Sequence, residues 1–262
     1  MTEWDAAGYF RMSGLQQAMA EEVLALLPLA RARRVLDVGC GDGKLSARIA
    51  HEAPRAELIG VDRSRAMIAF AAAHFDPARH SNLAFAVADA RALPFRGRFD
   101  LAVSFNALHW VPDQAAALRS LRAALESGGR AQLRLVTAGE RKSLESIVEE
   151  TRESERWRGH FANFSDPYLR LTPAEYAALA ESAGLRVLGA ATALKTWDFG
   201  SRAAFFDFCA VGLVAWTERL PAEDRAGFIG EALDRYAALA GSRANAASTF
   251  HFYQSDFTLG RE

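Results

Sequence analysis

Between residues 35 and 136 the chain alternates short, wholly apolar runs with stretches of helical periodicity, and this alternation restricts the fold more than any other feature. Val35–Val38, Leu58–Val61, Leu83–Val87, Leu101–Phe105 and Ala131–Val136 read as strands, with helices over Lys44–His51, Arg65–His74 and Asp113–Leu125 between them. A strand apolar on both sides must be covered on both faces, and a parallel sheet with helices above and below provides that cover. The expectation is a doubly wound α/β core, preceded by a helix over 13–29 that carries Leu15, Met19, Val23, Leu24 and Leu27 at helical spacing.

After Val136 the alternation stops. Residues 139–171 are rich in charge and then in aromatics (Trp157, Phe161, Phe164, Tyr168), without strand character. Thr172-Pro173-Ala174-Glu175 is a helix start, with a capping threonine, proline at the first position and a glutamate reaching back. That helix ends at Gly184; Leu185–Leu194 and Thr249–Leu259 read as strands, and 201–241 as helical. We expect one domain over 1–262, with a core of about 30–137, 172–199 and 246–262 and a helical cap from 1–29, 138–171 and 200–245.

The strand ends carry the chemistry. In "VLDVGCGDGKLS", residues 35–46, Gly39, Gly41 and Gly43 follow the first strand, where absent side chains let backbone N–H groups approach a ligand. A phosphate loop would need a glycine at Val38 and a hydroxyl at Leu45, so that reading fails. A dinucleotide fingerprint starting at Gly39 meets Lys44 where its third glycine should stand. Three carboxylates also end successive strands: Asp37, Asp62 and Asp89, the last followed by the small Ala90. Asp62 is placed to accept ribose hydroxyls, and Asp89 suits an adenine amino group. Asp37, directly under the glycines, would repel a pyrophosphate and attract an ammonium or sulfonium. The expected ligand is a cationic, amino-acid-like adenosyl compound.

These stretches resemble the class I S-adenosylmethionine-dependent methyltransferases. "VLDVGCGDG", "GVDRSRAMI", "VADARALPF" and "FDLAVSFNALHWV" look like four motifs of that family in order, covering roughly 30–137. The resemblance implies a Rossmann-like seven-stranded sheet of order 3-2-1-4-5-7-6 with an antiparallel last strand, and S-adenosyl-L-methionine as cofactor. It implies that Asp37, Gly39, Cys40 and Gly41 hold the methionine part, Asp62 the ribose, and that Met67 packs on the adenine beside Asp89 and Ala90; Arg63 and Asn106 complete the expected cofactor set. The pairing of Tyr9 and Gln16 before the first strand with "LHW" after the fourth is similar to juvenile hormone acid methyltransferases, with trans-aconitate and malonyl-carrier carboxyl methyltransferases as broader relatives. That likeness implies Gln16 and Trp110 on a substrate carboxylate; it leaves 139–171 and 201–241 unassigned, and if the acceptor is a partly apolar acid, Tyr9 and the cap aromatics, Trp157 among them, would line its pocket.

The expected reaction is therefore methylation of the carboxylate of a small, partly apolar acid. A carboxylate is already ionised at neutral pH and needs only orientation, whereas an amine, hydroxyl or carbon acceptor would need a base, for which His109 is the candidate. An NAD-dependent oxidoreductase or a cofactor-binding protein without catalysis are the readings from other classes. A net charge of −1, no basic stripe and no "NPPY"-type turn at 106–112 argue against nucleic acid as partner. The six histidines show no metal-ligand spacing, and Cys40 and Cys209 form no disulfide framework, so no metal and a reducing cytoplasm are expected. No apolar run approaches about 18–20 residues, so no membrane partner is expected.

Overall fold

The computed structural model describes residues 18–19, 22–76, 78–239 and 245–262. Seven strands form one sheet: β1 (Arg34–Val38), β2 (Glu57–Asp62), β3 (Leu83–Val87), β4 (Phe99–Phe105), β5 (Leu125–Thr137), β6 (Arg186–Asp198) and β7 (Thr249–Gly260). Their order is β3-β2-β1-β4-β5-β7-β6, with β7 antiparallel, as the resemblance implies. β1 pairs in parallel with β2 and β4, register Leu36↔Ile59 and Leu36↔Ala102.

Alternation along the strands builds two cores. Leu36, Val38, Ile59, Val61, Ala102 and Leu133 bury toward one cluster with Leu118, Leu121, Tyr176 and Phe257. Val35, Leu58, Leu101 and Val103 bury toward another, with Val23, Ala47, Ile49 and Leu83. Helices α1 (Lys44–Glu52), α2 (Arg65–His74), α3 (Gln114–Ala124) and α5 (Pro173–Ser182) belong to this part, which comprises the described residues up to 137, with 169–192 and 254–262. The capping box at Thr172 forms as its sequence dictates: the Thr172 hydroxyl accepts from Glu175 N–H, and Glu175 Oε2 accepts from Thr172 N–H at 2.8 Å. β5 begins six residues before the run that marks it in sequence. Gly128 (φ +78°) and Gly129 lie inside the strand, where the register against β4 shifts.

The second unit, 138–168 with 193–253, is mainly helical. It holds α4 (Leu144–Arg152), α6 (Arg202–Gly212), α7 (Val214–Thr217) and α8 (Ala222–Leu239). Its core is aromatic: Trp157, Phe161, Phe205, Trp216, Phe228 and Tyr236 are all buried. Trp216 Nε1 donates to a Glu149 carboxylate, and Trp157 meets Phe228 edge-on at 5.5 Å. No helix among the described residues is long and apolar enough to cross a membrane.

Candidate active site

The strand order reverses at β1, since β2 lies on one side and β4 on the other, and the crevice outside their carboxyl ends is where such sheets hold ligands. A cleft opens there. Gly39, Gly41, Asp62, Arg63, Met67, Asp89, Ala90, Asn106 and Trp110 line it, together with Val38, Ala88, Arg91, Phe105, Ala107, Leu108, Val111 and Pro112.

The glycine loop leaves β1 stitched to the end of β2: the N–H groups of Gly39 and Cys40 both donate to Val61 O, at 2.7 and 3.0 Å. Gly39 has φ +78°, and a Cβ there would lie 2.2 Å from Ala107 Cβ, so only glycine brings the loop this close to the β4 end. Gly43, at φ +81°, stands immediately before α1. Asp62 braces the loop from β2: Oδ2 accepts Gly41 N–H at 3.1 Å, and Oδ1 accepts Ser64 N–H at 2.9 Å. Burial nevertheless pushes this carboxyl above its ordinary range, those two amides only partly offsetting it.

Asp37 sits beneath the loop, 2% exposed. Desolvation pushes its pKa up to about 7, against the Ser46 hydroxyl, which donates to Oδ2 at 2.6 Å; the nearby Asp62 charge pushes the same way as burial. Burial, with Asp37 and Asp62 close by, also raises the Cys40 thiol, so this cysteine is inert at neutral pH. Asp89 differs. Arg91 grips it with Nε and Nη2, the latter at 2.6 Å, and holds its carboxyl below the usual range. Met67 is buried on the first turn of α2, whose cap is Ser64.

The β4 end is equally constrained. Asn106 takes φ +54°, a left-handed conformation uncommon outside glycine. Its N–H donates to Arg134 O at 2.8 Å, and its Oδ1 accepts from Gln254 Nε2 at 3.1 Å. The Gln114 amide clamps the following 3-10 turn, Leu108–Trp110, by donating to Leu108 O and, at 2.7 Å, to Val111 O. Trp110 lines the cleft. His109 is 4% exposed, its Nδ1 accepts Val136 N–H at 3.2 Å, and burial lowers its pKa to about 3. The imidazole is therefore neutral, with its proton on Nε2.

Of the residues singled out in sequence, nine line the cleft, while Asp37, Cys40 and His109 are buried beside it. Tyr9 and Gln16 lie outside the described residues. Trp157 is in the helical unit, buried against Phe228, its Nε1 donating to Glu231 Oε2 at 2.8 Å. Sequence reasoning missed Ser46, Gln114, Gln254 and Arg91. Ser46 and Arg91 stand close in sequence to the aspartates they serve; Gln254 is 148 residues from Asn106, and nothing local marks it. Among the described residues, no group of three histidine, cysteine or acidic side chains could hold a metal.

The cradle fits an adenosyl sulfonium donor on two observations. A glycine whose added Cβ would collide lets backbone approach the ligand, and a buried carboxyl held near neutrality is one that a cation would drive into its ionised form. Asp37 and the glycine loop would hold the amino-acid part, Asp62 the ribose, and Met67 with Asp89 and Ala90 the base.

Comparison with known proteins agrees. Residues 35–129 match the methyltransferase domain family. The trans-aconitate 2-methyltransferase of Deinococcus radiodurans is 30% identical over 240 residues, 86% of this chain and 87% of that protein. That of Methylobacterium radiotolerans is 40% identical over 129 residues, about half of each chain (49% and 48%). A structure of Haemonchus contortus phosphoethanolamine N-methyltransferase 2, in complex with phosphomonomethylethanolamine and S-adenosylhomocysteine, shares the fold with a TM-score of 0.63 at 16% identity, covering 98% of this chain and 57% of that one. The chain thus belongs to the class I S-adenosylmethionine-dependent methyltransferases, in the group of the trans-aconitate methyltransferases.

Proposed function

We propose that this methyltransferase transfers the methyl group to the carboxylate of a small, partly apolar acid. Bound in the cleft, S-adenosylmethionine supplies a methyl group already activated by its positive sulfur. What remains for the chain is to orient acceptor and donor in line and to exclude water, effects that contribute roughly 7–11 kcal/mol in favourable cases.

The observation that carries the reading is the state of His109. A histidine buried to 4% exposure, with a pKa near 3 and Nδ1 occupied by a backbone amide, is a poor base at neutral pH. Asp62 is engaged by two amides and Asp89 by Arg91, so neither is poised to take a proton from an acceptor. An acceptor that arrives ionised fits such a site, and the trans-aconitate methyltransferases at 30–40% identity favour the same chemistry. In this reading Trp110 offers its indole N–H and Gln16 its amide to the acceptor carboxylate. Both are neutral donors that orient the anion without quenching its nucleophilicity. Tyr9 would border the same acceptor.

The test is the chemistry of the product. Transfer from methyl-labelled donor to a panel of small acids, trans-aconitate included, should give a product that releases labelled methanol in mild alkali, as a carboxyl ester does. A product stable to alkali would mean an amine, hydroxyl or carbon acceptor and would end this reading.

A further inference from the structure

The helical unit holds an arginine with one edge of its guanidinium unpaired among the described residues. Arg141 lies four residues beyond the end of β5 and three before α4. The residue is half-buried, and its Nε and Nη2 are shielded from solvent with no hydrogen-bond partner among the described residues. Its guanidinium carbon stands 5.7 Å from the centre of the Tyr236 ring, and its backbone N–H donates to Tyr253 Oη at 3.4 Å. Gly139 packs so closely on the Tyr253 ring that an added Cβ would fall 2.3 Å from it, which ties the turn carrying Arg141 to that tyrosine. Ring and backbone thus fix the side chain while one edge of its fork stays unused.

That edge has a shape. A guanidinium cannot shed its proton to escape burial, and buried cations are found paired. Nε and Nη2 point their N–H bonds in parallel, matching the two oxygens of a carboxylate. Elsewhere among the described residues the same pair of nitrogens grips a carboxylate. Arg91 holds Asp89 through Nε and Nη2 at 3.0 and 2.6 Å, and Arg134 holds Asp256 through Nε and Nη2 at 2.7 and 2.8 Å. Burial raises the Tyr236 hydroxyl, with buried Glu145 of α4 pushing the same way, while Arg141 itself acts on that hydroxyl in the opposite sense. We infer that Arg141 is a carboxylate-binding residue: the Nε/Nη2 edge takes one carboxylate of a small polycarboxylic acid. Only the choice of ligand rests on the proposed acid methylation.

The test is binding of trans-aconitate to the full chain without cofactor, by calorimetry and thermal shift, in the wild type, Arg141→Gln and Arg141→Lys. The expected result is measurable affinity in the wild type and at least a 20-fold loss in Arg141→Gln. Arg141→Lys should fall between, since lysine keeps the charge and loses the fork. S-adenosylhomocysteine affinity should hold within twofold in all three, which shows that the variants fold. Unchanged acid affinity in Arg141→Gln overturns the assignment, as does a variant that only gains thermal stability, the mark of a charge with no ligand. Loss of acid binding in Arg141→Gln, with no alkali-labile product from any acid, would uphold Arg141 and sink the carboxyl methylation. Ester formation with unaltered acid affinity in Arg141→Gln would do the reverse.

Discussion

Each of the two units buries an ionisable side chain short of a full counter-charge, and the signs are opposite. The sheet unit buries Asp37 beneath its glycine loop; the helical unit shields one edge of Arg141. Asp37 can adapt: with a pKa near 7 it takes up a proton when no cation is near, and the Ser46 hydroxyl serves either form. Arg141 has no such escape, because a guanidinium stays charged at any pH a protein survives. One site can therefore be switched by protons, and the other answers only to an anion. A cation would satisfy the first and an anion the second.

The comparison breaks most severely at Gly39. An alanine there puts its Cβ 2.2 Å from Ala107 Cβ, at a φ of +78° that side chains resist. Because Ala107 lines the cleft, relief by moving either strand end deforms the site itself. Gly39→Ala should lower S-adenosylhomocysteine affinity at least about 100-fold, roughly 3 kcal/mol, by calorimetry. Retained affinity would mean that the loop is not the cradle.

Asp37→Asn tests the proton-switched half, with a smaller effect. The wild-type carboxyl binds its proton more tightly folded (pKa about 7) than at its ordinary 3.8. Its contribution to stability is thus most favourable below about pH 4, declines as pH rises from 4 to 7, and stays at its least favourable above 7. The asparagine variant lacks that decline, so it should match the wild type near pH 4 and exceed it at pH 8 by about 1–4 kcal/mol in urea melts. Cofactor affinity should move the other way, falling roughly 10-fold or more in the variant at pH 8. In the wild type, affinity should fall below pH 7 as Asp37 takes up its proton. At saturating cofactor kcat should be flat from pH 6 to 8, His109 being neutral throughout. An inflection in kcat there would return the histidine to the chemistry.

How far sequence reaches follows the same divide. Asp37, Asp62 and Asp89 could be read because a parallel strand ends where its apolar run ends, and in a doubly wound sheet the ligand lies beyond that point. Strand order came with the family motifs. What sequence could not give was the state of those carboxylates. Three similar aspartates emerge as one buried and proton-hungry, one braced by amides and one gripped by arginine, differences set by partners in three dimensions. Asn106 and Gln254 meet across 148 residues, beyond any local pattern. In the helical unit the limit is sharper: composition marks Trp157 and Phe161 as part of an aromatic cluster and helical spacing puts Phe205 and Trp216 on apolar positions, and neither says whether such a residue meets protein or ligand. Arg141 left no trace in sequence, since an unused guanidinium edge is visible only once its surroundings are fixed.

Trp157 gives the mildest test, confined to the helical unit. Its ring packs edge-on against Phe228, and its indole N–H reaches Glu231, which Arg235 also holds at 2.7 Å. Trp157→Phe keeps most of the buried ring and removes the donor, so Glu231 retains Arg235 and its carboxylate is not orphaned. The loss should then be that of one hydrogen bond to a charged group plus a small cavity, about 1–3 kcal/mol in a thermal or urea melt. Cofactor affinity should stay within twofold. If Trp157 serves only the core, KM for the acid should stay within twofold as well. A KM that rises several-fold while stability holds would instead make the indole part of the acid's wall, so one substitution distinguishes an aromatic that packs from one that binds.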